Sequence, residues 1–198
     1  MGWALTALFV IGYGWRTVTR NADWRNEETL FRAAVAVSPR SAMAQKNLGG
    51  ALLNSSRSEE AIPHYQRALK FLDDFPQAHY ELGNCLFNKK PQDLAGAERE
   101  YRIALKQSPK HASAHQNLGA TLHVQERYEA ALREFEAALK ISPNLDLALF
   151  NRVHTLLALE RIEAAKRALD QAIGRFPNSP QIPELRLKIE QALLPSGR

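Results

Sequence analysis

Two histidines four residues apart, His111 and His115, come nearest to a metal site in this sequence. An i, i+4 pair of histidines can bind Zn²⁺ on one face of a helix. No cysteine or glutamate close by in the sequence completes a ligand set, and isolated pairs of this kind are common on protein surfaces. The sequence therefore predicts no metal site.

The other reactive side chains do not form a pattern for catalysis or for cofactor binding. Cys85 is the only cysteine, which excludes an internal disulfide and a cysteine-rich metal site. Asp73 and Asp74 fall in a predicted turn, where aspartate commonly bonds the local backbone. The sequence contains no glycine-rich phosphate loop and no nucleophile elbow. We therefore expect no catalytic residue and no cofactor in this chain.

The distribution of charge argues against nucleic-acid binding. The chain has 198 residues and a formal net charge of +5. A nucleic-acid binder would concentrate its basic residues on one face, between aromatic residues. Here the lysines and arginines alternate with acidic residues along predicted helices, which is typical of a solvated surface.

Small residues recur along the chain at a nearly constant interval. A Leu-Gly pair ends at Gly49, Gly83 and Gly119, with offsets of 83 − 49 = 34 and 119 − 83 = 36. Two alanines seven residues apart then follow in each of four units: Ala61/Ala68, Ala97/Ala104, Ala131/Ala138 and Ala165/Ala172. Four residues after the first alanine of each pair stand Tyr65, Tyr101, Phe135 and Leu169. The offset of 36 places two extra residues in the turn 89–93, where both flanking helices stay intact.

These marks resemble the 34-residue tetratricopeptide repeat (TPR). We predict an all-α fold, a right-handed superhelical TPR solenoid in which each unit is a hairpin of a helix A and a helix B. Glycine and alanine are expected where helices A and B approach closely, and the aromatic residue is expected to fill the gap between units. In the fourth unit Arg152-Val153 replaces Leu-Gly.

The repeat divides the chain into predicted segments. Four units at about 42–75, 76–111, 112–145 and 146–179 make up the span 41–178, after a half-unit at 20–40 and before a capping helix and tail at 180–198. The predicted helices are 42–54, 58–71, 76–88, 94–107, 112–125, 128–141, 146–159, 162–175 and 181–194.

The N-terminus is apolar. Gly2 to Trp15 contains no charged residue and ends before Arg16. Fourteen helical residues rise about 21 Å, too little for a hydrocarbon core of about 30 Å. Trp3 and Tyr13 are typical of interfacial aromatics. We predict that residues 1–19 are the last part of a transmembrane helix; a short apolar helix that caps the solenoid is the alternative.

The sixth residues of the four A helices predict a binding face. They are Asn47, Glu81, Asn117 and Asn151. A row of amides can hydrogen-bond the backbone of an extended peptide, and this row resembles the asparagine ladder in the TPR region of the O-linked N-acetylglucosamine transferase. The candidate groove residues are Asn47, Tyr80, Asn84, Gln116, Asn117, His123, Phe150, Asn151 and His154. The predicted partner is a protein or peptide in extended form.

The junction between the apolar segment and the repeats carries a more specific resemblance. The run from Arg20 to Phe31, RNADWRNEETLF, followed by Ser38-Pro39-Arg40-Ser41-Ala42 and Asn47-Leu48-Gly49, resembles the transmembrane-and-TPR-containing family. That family comprises multi-pass protein O-mannosyltransferases with a TPR array on the lumenal side of the endoplasmic reticulum. The resemblance implies that the catalytic carboxylates lie in an early lumenal loop outside this sequence, so no catalytic residue carries over.

The leading hypothesis is therefore an interaction scaffold on a membrane anchor, the acceptor-binding tail of a membrane protein O-mannosyltransferase in the endoplasmic reticulum. Three alternatives stay open: a chain that itself transfers mannose, a free TPR adaptor, and a membrane-anchored assembly factor unrelated to glycosylation. The compartment has alternatives too, the bacterial inner membrane or the cytoplasm, since Arg16 and Arg20 favour a cytoplasmic side by the positive-inside rule.

Overall fold

Residues 26–194 are described by a computed structural model, and within that range the chain forms ten α-helices and no β-strand. The helices are α1 (Glu27–Val37), α2 (Ala42–Asn54), α3 (Ser58–Phe71), α4 (Pro76–Asn88), α5 (Leu94–Gln107), α6 (Ala112–Val124), α7 (Tyr128–Ile141), α8 (Asp146–Ala158), α9 (Ile162–Arg175) and α10 (Ile182–Leu193). From α2 onwards, every helix begins and ends within one residue of its predicted bounds. The all-helical prediction is confirmed.

The predicted membrane segment, residues 1–19, lies outside the described residues. Within residues 26–194, each helix is too short or too polar to cross a bilayer. The half-unit predicted at 20–40 contains α1, which starts after Asn26 because the side-chain oxygen of Asn26 accepts a hydrogen bond of 2.8 Å from the backbone N–H of Thr29.

Two compact units make up the chain, divided between Asp74 and Phe75. In the N-terminal unit, α1 packs on α2 and α2 packs on α3. The guanidinium of Arg57, at the start of α3, reaches a carboxylate oxygen of Glu28 on α1 at 2.8 Å. Helices α2 and α3 therefore form one hairpin, and the preceding helix α1 is bound to it by packing and by this ion pair.

The C-terminal unit stacks its helices in the order of the sequence, from α4 to α10. In addition, α4 contacts α6, α6 contacts α8, and α8 contacts α10, whereas within residues 75–194 the B helices α5, α7 and α9 do not contact one another. The four helices α4, α6, α8 and α10 thus form a continuous inner layer. Side chains on this layer from different hairpins can meet.

Glycine on helix A and an aromatic ring on helix B close the hairpins. A Cβ atom added to Gly83 would lie 2.6 Å from the ring of Tyr101, and one added to Gly119 would lie 2.8 Å from the ring of Phe135. Only glycine allows this approach, because carbon atoms in contact need about 3.5 Å. The aromatic residue therefore closes its own hairpin, whereas the sequence pattern predicts a role between units.

The fourth hairpin reaches the same fold with different residues. Val153 and Leu169 replace the glycine and the aromatic residue, and both are buried. Two side chains of intermediate size thus fill the space that a large ring fills over a glycine. Arg152, which replaces the leucine, donates a hydrogen bond of 2.7 Å to Gln171 on α9.

Ion pairs between hairpins repeat along the outer side. Arg127 reaches Glu98 on the preceding helix B at 2.7 Å, and Arg161 reaches Glu129 at 2.6 Å. The pairs resemble the one between Arg57 and Glu28 in the N-terminal unit. The arginine of each pair is largely open to solvent, although Glu98 is buried, and pairs open to solvent each contribute only about 0–1 kcal/mol. We therefore regard these pairs as fixing the register of neighbouring hairpins.

Candidate functional site

The inner layer of the C-terminal unit carries eight of the nine predicted groove residues. Asn47 is the exception, because it lies half-buried on α2 in the N-terminal unit. The eight are divided among three helices: Tyr80 and Asn84 on α4, Gln116, Asn117 and His123 on α6, and Phe150, Asn151 and His154 on α8. These side chains differ in how many of their hydrogen-bonding groups are already used inside the protein and in how deeply they are buried.

Asn117 belongs to a hydrogen-bonded cluster that joins α4, α5 and α6. Its side-chain nitrogen donates to the amide oxygen of Asn84 at 2.8 Å and to the hydroxyl of Tyr80 at 3.3 Å. Its own amide oxygen accepts from Gln116 at 3.2 Å. Both hydrogens of the Asn117 amide therefore have partners inside the protein.

Tyr101 holds the same cluster from helix B. Its hydroxyl donates to the amide oxygen of Asn84 at 2.8 Å, and its ring lies 6.1 Å from that of Tyr80, centre to centre. Tyr101 is buried, and this burial raises the pKa of its hydroxyl well above the ordinary value. The hydroxyl therefore stays protonated and keeps donating to Asn84.

Tyr80 also packs on the turn before α6. Its ring lies 4.6 Å from the imidazole of His111. His111 itself caps α6, because its Nδ1 accepts a hydrogen bond of 3.2 Å from the backbone N–H of Ala114. The cluster is thus tied to the start of the next helix A.

The two histidines of the sequence pair have separate partners. His111 caps α6, while Nδ1 of His115 lies 2.7 Å from a carboxylate oxygen of Glu134 and its Nε2 lies 3.2 Å from the carbonyl oxygen of Pro109. Each imidazole is held by its own hairpin. No group of three side chains suited to a metal ion occurs in the part of the chain from 26 to 194.

Glu81 is the acidic member of the sixth-position row. Its carboxylate accepts hydrogen bonds from the side chains of Gln77, at 2.7 Å, and Asn84, at 3.1 Å. An ionised carboxylate has room for about four hydrogen bonds, so about two positions stay open. Glu81 is half-buried and lies next to the cluster through Asn84.

Asn151 is the sixth-position residue whose amide is open in this unit. Its side chain has no hydrogen-bond partner among the described residues, and it is half-buried on α8. Its backbone carbonyl accepts a bond of 2.7 Å from the hydroxyl of Thr155. Phe150, by contrast, is 1% exposed and belongs to the core around Val153 and Leu169.

Burial favours the neutral form of the two histidines among the groove candidates. Burial lowers the pKa of His123, and burial together with the charge of Lys188 lowers the pKa of His154. Nδ1 of His123 lies 3.0 Å from the hydroxyl of Thr155. Because that hydroxyl donates its single hydrogen to Asn151, Nδ1 of His123 must donate to it.

Two residues that donate hydrogen bonds to Asn84 or Glu81 are missing from the groove candidates chosen from the sequence. From the sequence, Tyr101 is named only as one of the aromatic residues that recur with the repeat, and Gln77 is not named. A signal exists for Tyr101, since the next hairpin has Phe135 at the same place and a buried tyrosine hydroxyl usually has a partner. Asn84, one turn after Tyr80, stands where the third unit has Ala120.

One sequence model of the tetratricopeptide repeat matches residues 21–79 and 91–146, and a second model of the same repeat matches residues 122–189. This chain belongs to the tetratricopeptide repeat family. Two proteins of known structure have the same fold. A crystal structure of MamA protein has a TM-score of 0.70 at 19% identity and covers 98% of this chain and 100% of that chain. A structure of YrrB, described as a TPR protein with an unusual peptide-binding site, has a TM-score of 0.67 at 19% identity over 82% of this chain and 92% of that one.

Curated relatives confirm the resemblance to the transmembrane-and-TPR-containing family. Protein O-mannosyl-transferase Tmtc3 of Drosophila melanogaster is 36% identical over 98 residues, which is 50% of this chain and 10% of that protein. Protein O-mannosyl-transferase tmtc2 of Xenopus laevis is 40% identical over 75 residues, 38% of this TPR chain and 9% of the relative. The chain thus spans about a tenth of the length of these relatives.

Proposed function

We propose that the inner layer of the C-terminal unit binds a polypeptide in extended form. The observation that carries the proposal is the open amide of Asn151 in the same layer as Asn117 and Glu81, at the same position of successive A helices. Amides bind the N–H and C=O groups of a peptide backbone whatever its side chains. Such a face accepts many sequences.

The spacing of the layer fits an extended chain. Packed helices lie about 8–10 Å apart, and an extended peptide rises about 3.3 Å per residue. Successive sixth positions would therefore meet about every third peptide residue. Glu81, Asn117 and Asn151 would together contact a peptide segment of about seven residues.

The wider role rests on the relatives. We propose that the chain is the acceptor-binding part of a membrane protein O-mannosyltransferase, anchored through residues 1–19, with its TPR array in the lumen of the endoplasmic reticulum. The similarity to Tmtc3 and tmtc2 supports this placement. In this role the chain holds an unfolded acceptor and the transfer of mannose takes place elsewhere in the enzyme.

Peptide binding is tested by fluorescence anisotropy with a labelled, uncharged Ser/Thr-rich peptide of ten residues. Replacing both Asn117, whose amide oxygen keeps one acceptor position open, and Asn151 by alanine should weaken binding about tenfold, since each lost hydrogen bond costs about 0.5–1.5 kcal/mol. The matched control is Asn144→Ala with Asn178→Ala, two exposed asparagines in turns. Equal affinity in the double variant and the wild type would contradict the proposal.

Two further experiments test the proposed scaffold role and the proposed membrane segment. The chain alone should show no mannose transfer from dolichyl-phosphate-mannose to a peptide, and measurable turnover would contradict the scaffold role. Purified without detergent, the chain that retains residues 1–20 should aggregate. A monodisperse protein under those conditions would contradict the proposed membrane segment.

A further inference from the structure

Among the sixth residues of the four A helices, Glu81 is a carboxylate where the other three are asparagines. In the third and fourth units the corresponding residues are Asn117 and Asn151. The partners of the Glu81 carboxylate are the neutral amides of Gln77 and Asn84. These two bonds hold the carboxylate in place without neutralising it.

Several other carboxylates of the C-terminal unit have cationic partners. Glu98 pairs with Arg127 at 2.7 Å, Glu129 pairs with Arg161 at 2.6 Å, and Glu184 pairs with Lys188 at 2.6 Å. Glu81 forms no ion pair with any residue between 26 and 194. The other described carboxylates of this unit that form no ion pair are exposed, whereas Glu81 is half-buried.

Helices α6 and α8, which follow α4 in the inner layer, do not supply the missing cation. Helix α6 contains no lysine, arginine, aspartate or glutamate. Helix α8 contains one cation, Arg152, and its guanidinium is directed to Gln171 on α9. On α5, Arg99 pairs with Glu100 and Arg102 pairs with Glu98. Burial lowers the pKa of His123 and His154, which favours their neutral forms. The charge of Glu81 therefore dominates this part of the inner layer.

The carboxylate of Glu81 also acts on a buried group of its own helix. The thiol of Cys85, one turn after Glu81, has its pKa raised to about 12, first by burial and then by the carboxylate of Glu81. The charge of Glu81 therefore disfavours a second negative charge at Cys85.

We infer that Glu81 is a specificity-determining residue, which makes the inner layer prefer an extended peptide with a lysine or arginine side chain over α4. This inference rests on the proposed peptide-binding function and names the chemistry of the partner. The cation of the peptide would occupy the open positions of the Glu81 carboxylate. By the spacing above, it would lie about three residues from the segment over Asn117 and about six from that over Asn151.

The test uses ten-residue Ala/Ser/Thr peptides with blocked ends, each with one lysine at a different position. Matching peptides carry norleucine or glutamate in place of lysine. Anisotropy titrations with the full chain should show lysine favoured over norleucine by about threefold to fivefold at one position of the scan, and glutamate disfavoured. The preference should shrink when the ionic strength rises.

Variants then assign the preference to one carboxylate. In Glu81→Gln the ratio of lysine to norleucine affinity should fall to about one, and in Glu81→Lys the glutamate peptides should bind better than the lysine peptides. Glu163→Gln removes one exposed charge from α9 and should keep the wild-type ratio. A lysine preference that survives in Glu81→Gln overturns the inference.

The two levels of the proposal fail differently. Peptides that bind with equal affinity whatever their charge overturn the role of Glu81 and leave peptide binding in place. A complete lack of binding by every peptide contradicts the proposed function itself and the inference with it.

Discussion

The third and fourth hairpins of the chain have the same fold but different interiors. In the third, α6–α7, the ring of Phe135 lies against the backbone at Gly119, where an added Cβ would come within 2.8 Å. In the fourth, α8–α9, Val153 and Leu169 fill the same space, and Val153 is fully buried. The helical hairpin thus tolerates an exchange of volume between its two helices, provided that the sum is kept.

The same two hairpins differ on the inner layer. The amide of Asn117 is engaged by Asn84 and Tyr80 of the preceding hairpin, while the amide of Asn151 has no such partner among the described residues. The neighbouring hairpin, and not the position within the repeat, determines which amide is open. Each of the following experiments changes one side of this comparison.

The largest effect is expected from Val153→Gly, which gives the fourth hairpin the glycine of the third without the ring. It removes about three buried carbons at about 0.8 kcal/mol each and adds a helical glycine at about 1 kcal/mol, so the free energy of unfolding should fall by about 3 kcal/mol. Urea denaturation followed by circular dichroism measures the change. Adding Leu169→Phe should recover part of it. A loss below about 1 kcal/mol would mean that Val153 does not fill the hairpin.

Gly119→Ala should destabilise the third hairpin by about 1–3 kcal/mol, because the new methyl group meets the ring of Phe135. The matched control is Gly174→Ala on α9, where an added Cβ has nothing within 4 Å. There the same change should stabilise the chain by about 0.5–1 kcal/mol, because alanine is the better helix former. Effects of the same sign at both positions would contradict the packing described for Gly119.

Tyr101→Phe tests the polar cluster that engages Asn117. The variant removes the donor to Asn84 and should lower the free energy of unfolding by about 1 kcal/mol, the usual contribution of one hydrogen bond. Tyr128→Phe is the control, since the ring of Tyr128 packs on His123 and its change should stay within about 0.5 kcal/mol. Equal effects of the two variants would show that the hydroxyl of Tyr101 is not specifically bound.

The smallest expected effect is a loss of stability at mildly acidic pH. Burial lowers the pKa of His123 and His154 below the unfolded value of about 6.5, so the unfolded chain binds protons first and stability should fall as the pH drops below about 6.5. The loss should be visible in thermal unfolding between pH 7 and pH 5, above the range where the carboxylates titrate. His64 in the N-terminal unit has the same direction of shift. Replacing His123 and His154 by glutamine should therefore flatten the slope in part, and an unchanged slope would contradict their burial.

The helices could be predicted closely from the sequence because their marks are local. Glycine, alanine and proline recur at the repeat period, and each acts through the backbone of its own hairpin. The longer second unit could be predicted equally well, because its two extra residues fall in the turn 89–93. Helices α4 and α5 on either side therefore keep their expected bounds. The apolar segment 1–19 lies outside the described residues and stays a prediction.

The state of the candidate site could not be predicted in the same way. Asn117 and Asn151 have the same position in their repeats, and the partner that distinguishes them, Asn84, lies 117 − 84 = 33 residues before the first of them. Phe150 follows the pattern of a groove residue but is buried in the core of the fourth hairpin. Such differences arise from contacts between hairpins, which no single repeat contains.

The most direct test of the account is a nuclear magnetic resonance titration of the asparagine side-chain amides with an extended, uncharged peptide. We predict that the side-chain resonance of Asn151 shifts most, that those of Asn117 and Asn84 shift less, and that those of the exposed turn residues Asn144 and Asn178 stay in place. Shifts confined to the turns or to the outer helices, with the resonance of Asn151 unchanged at saturation, would contradict peptide binding on the inner layer.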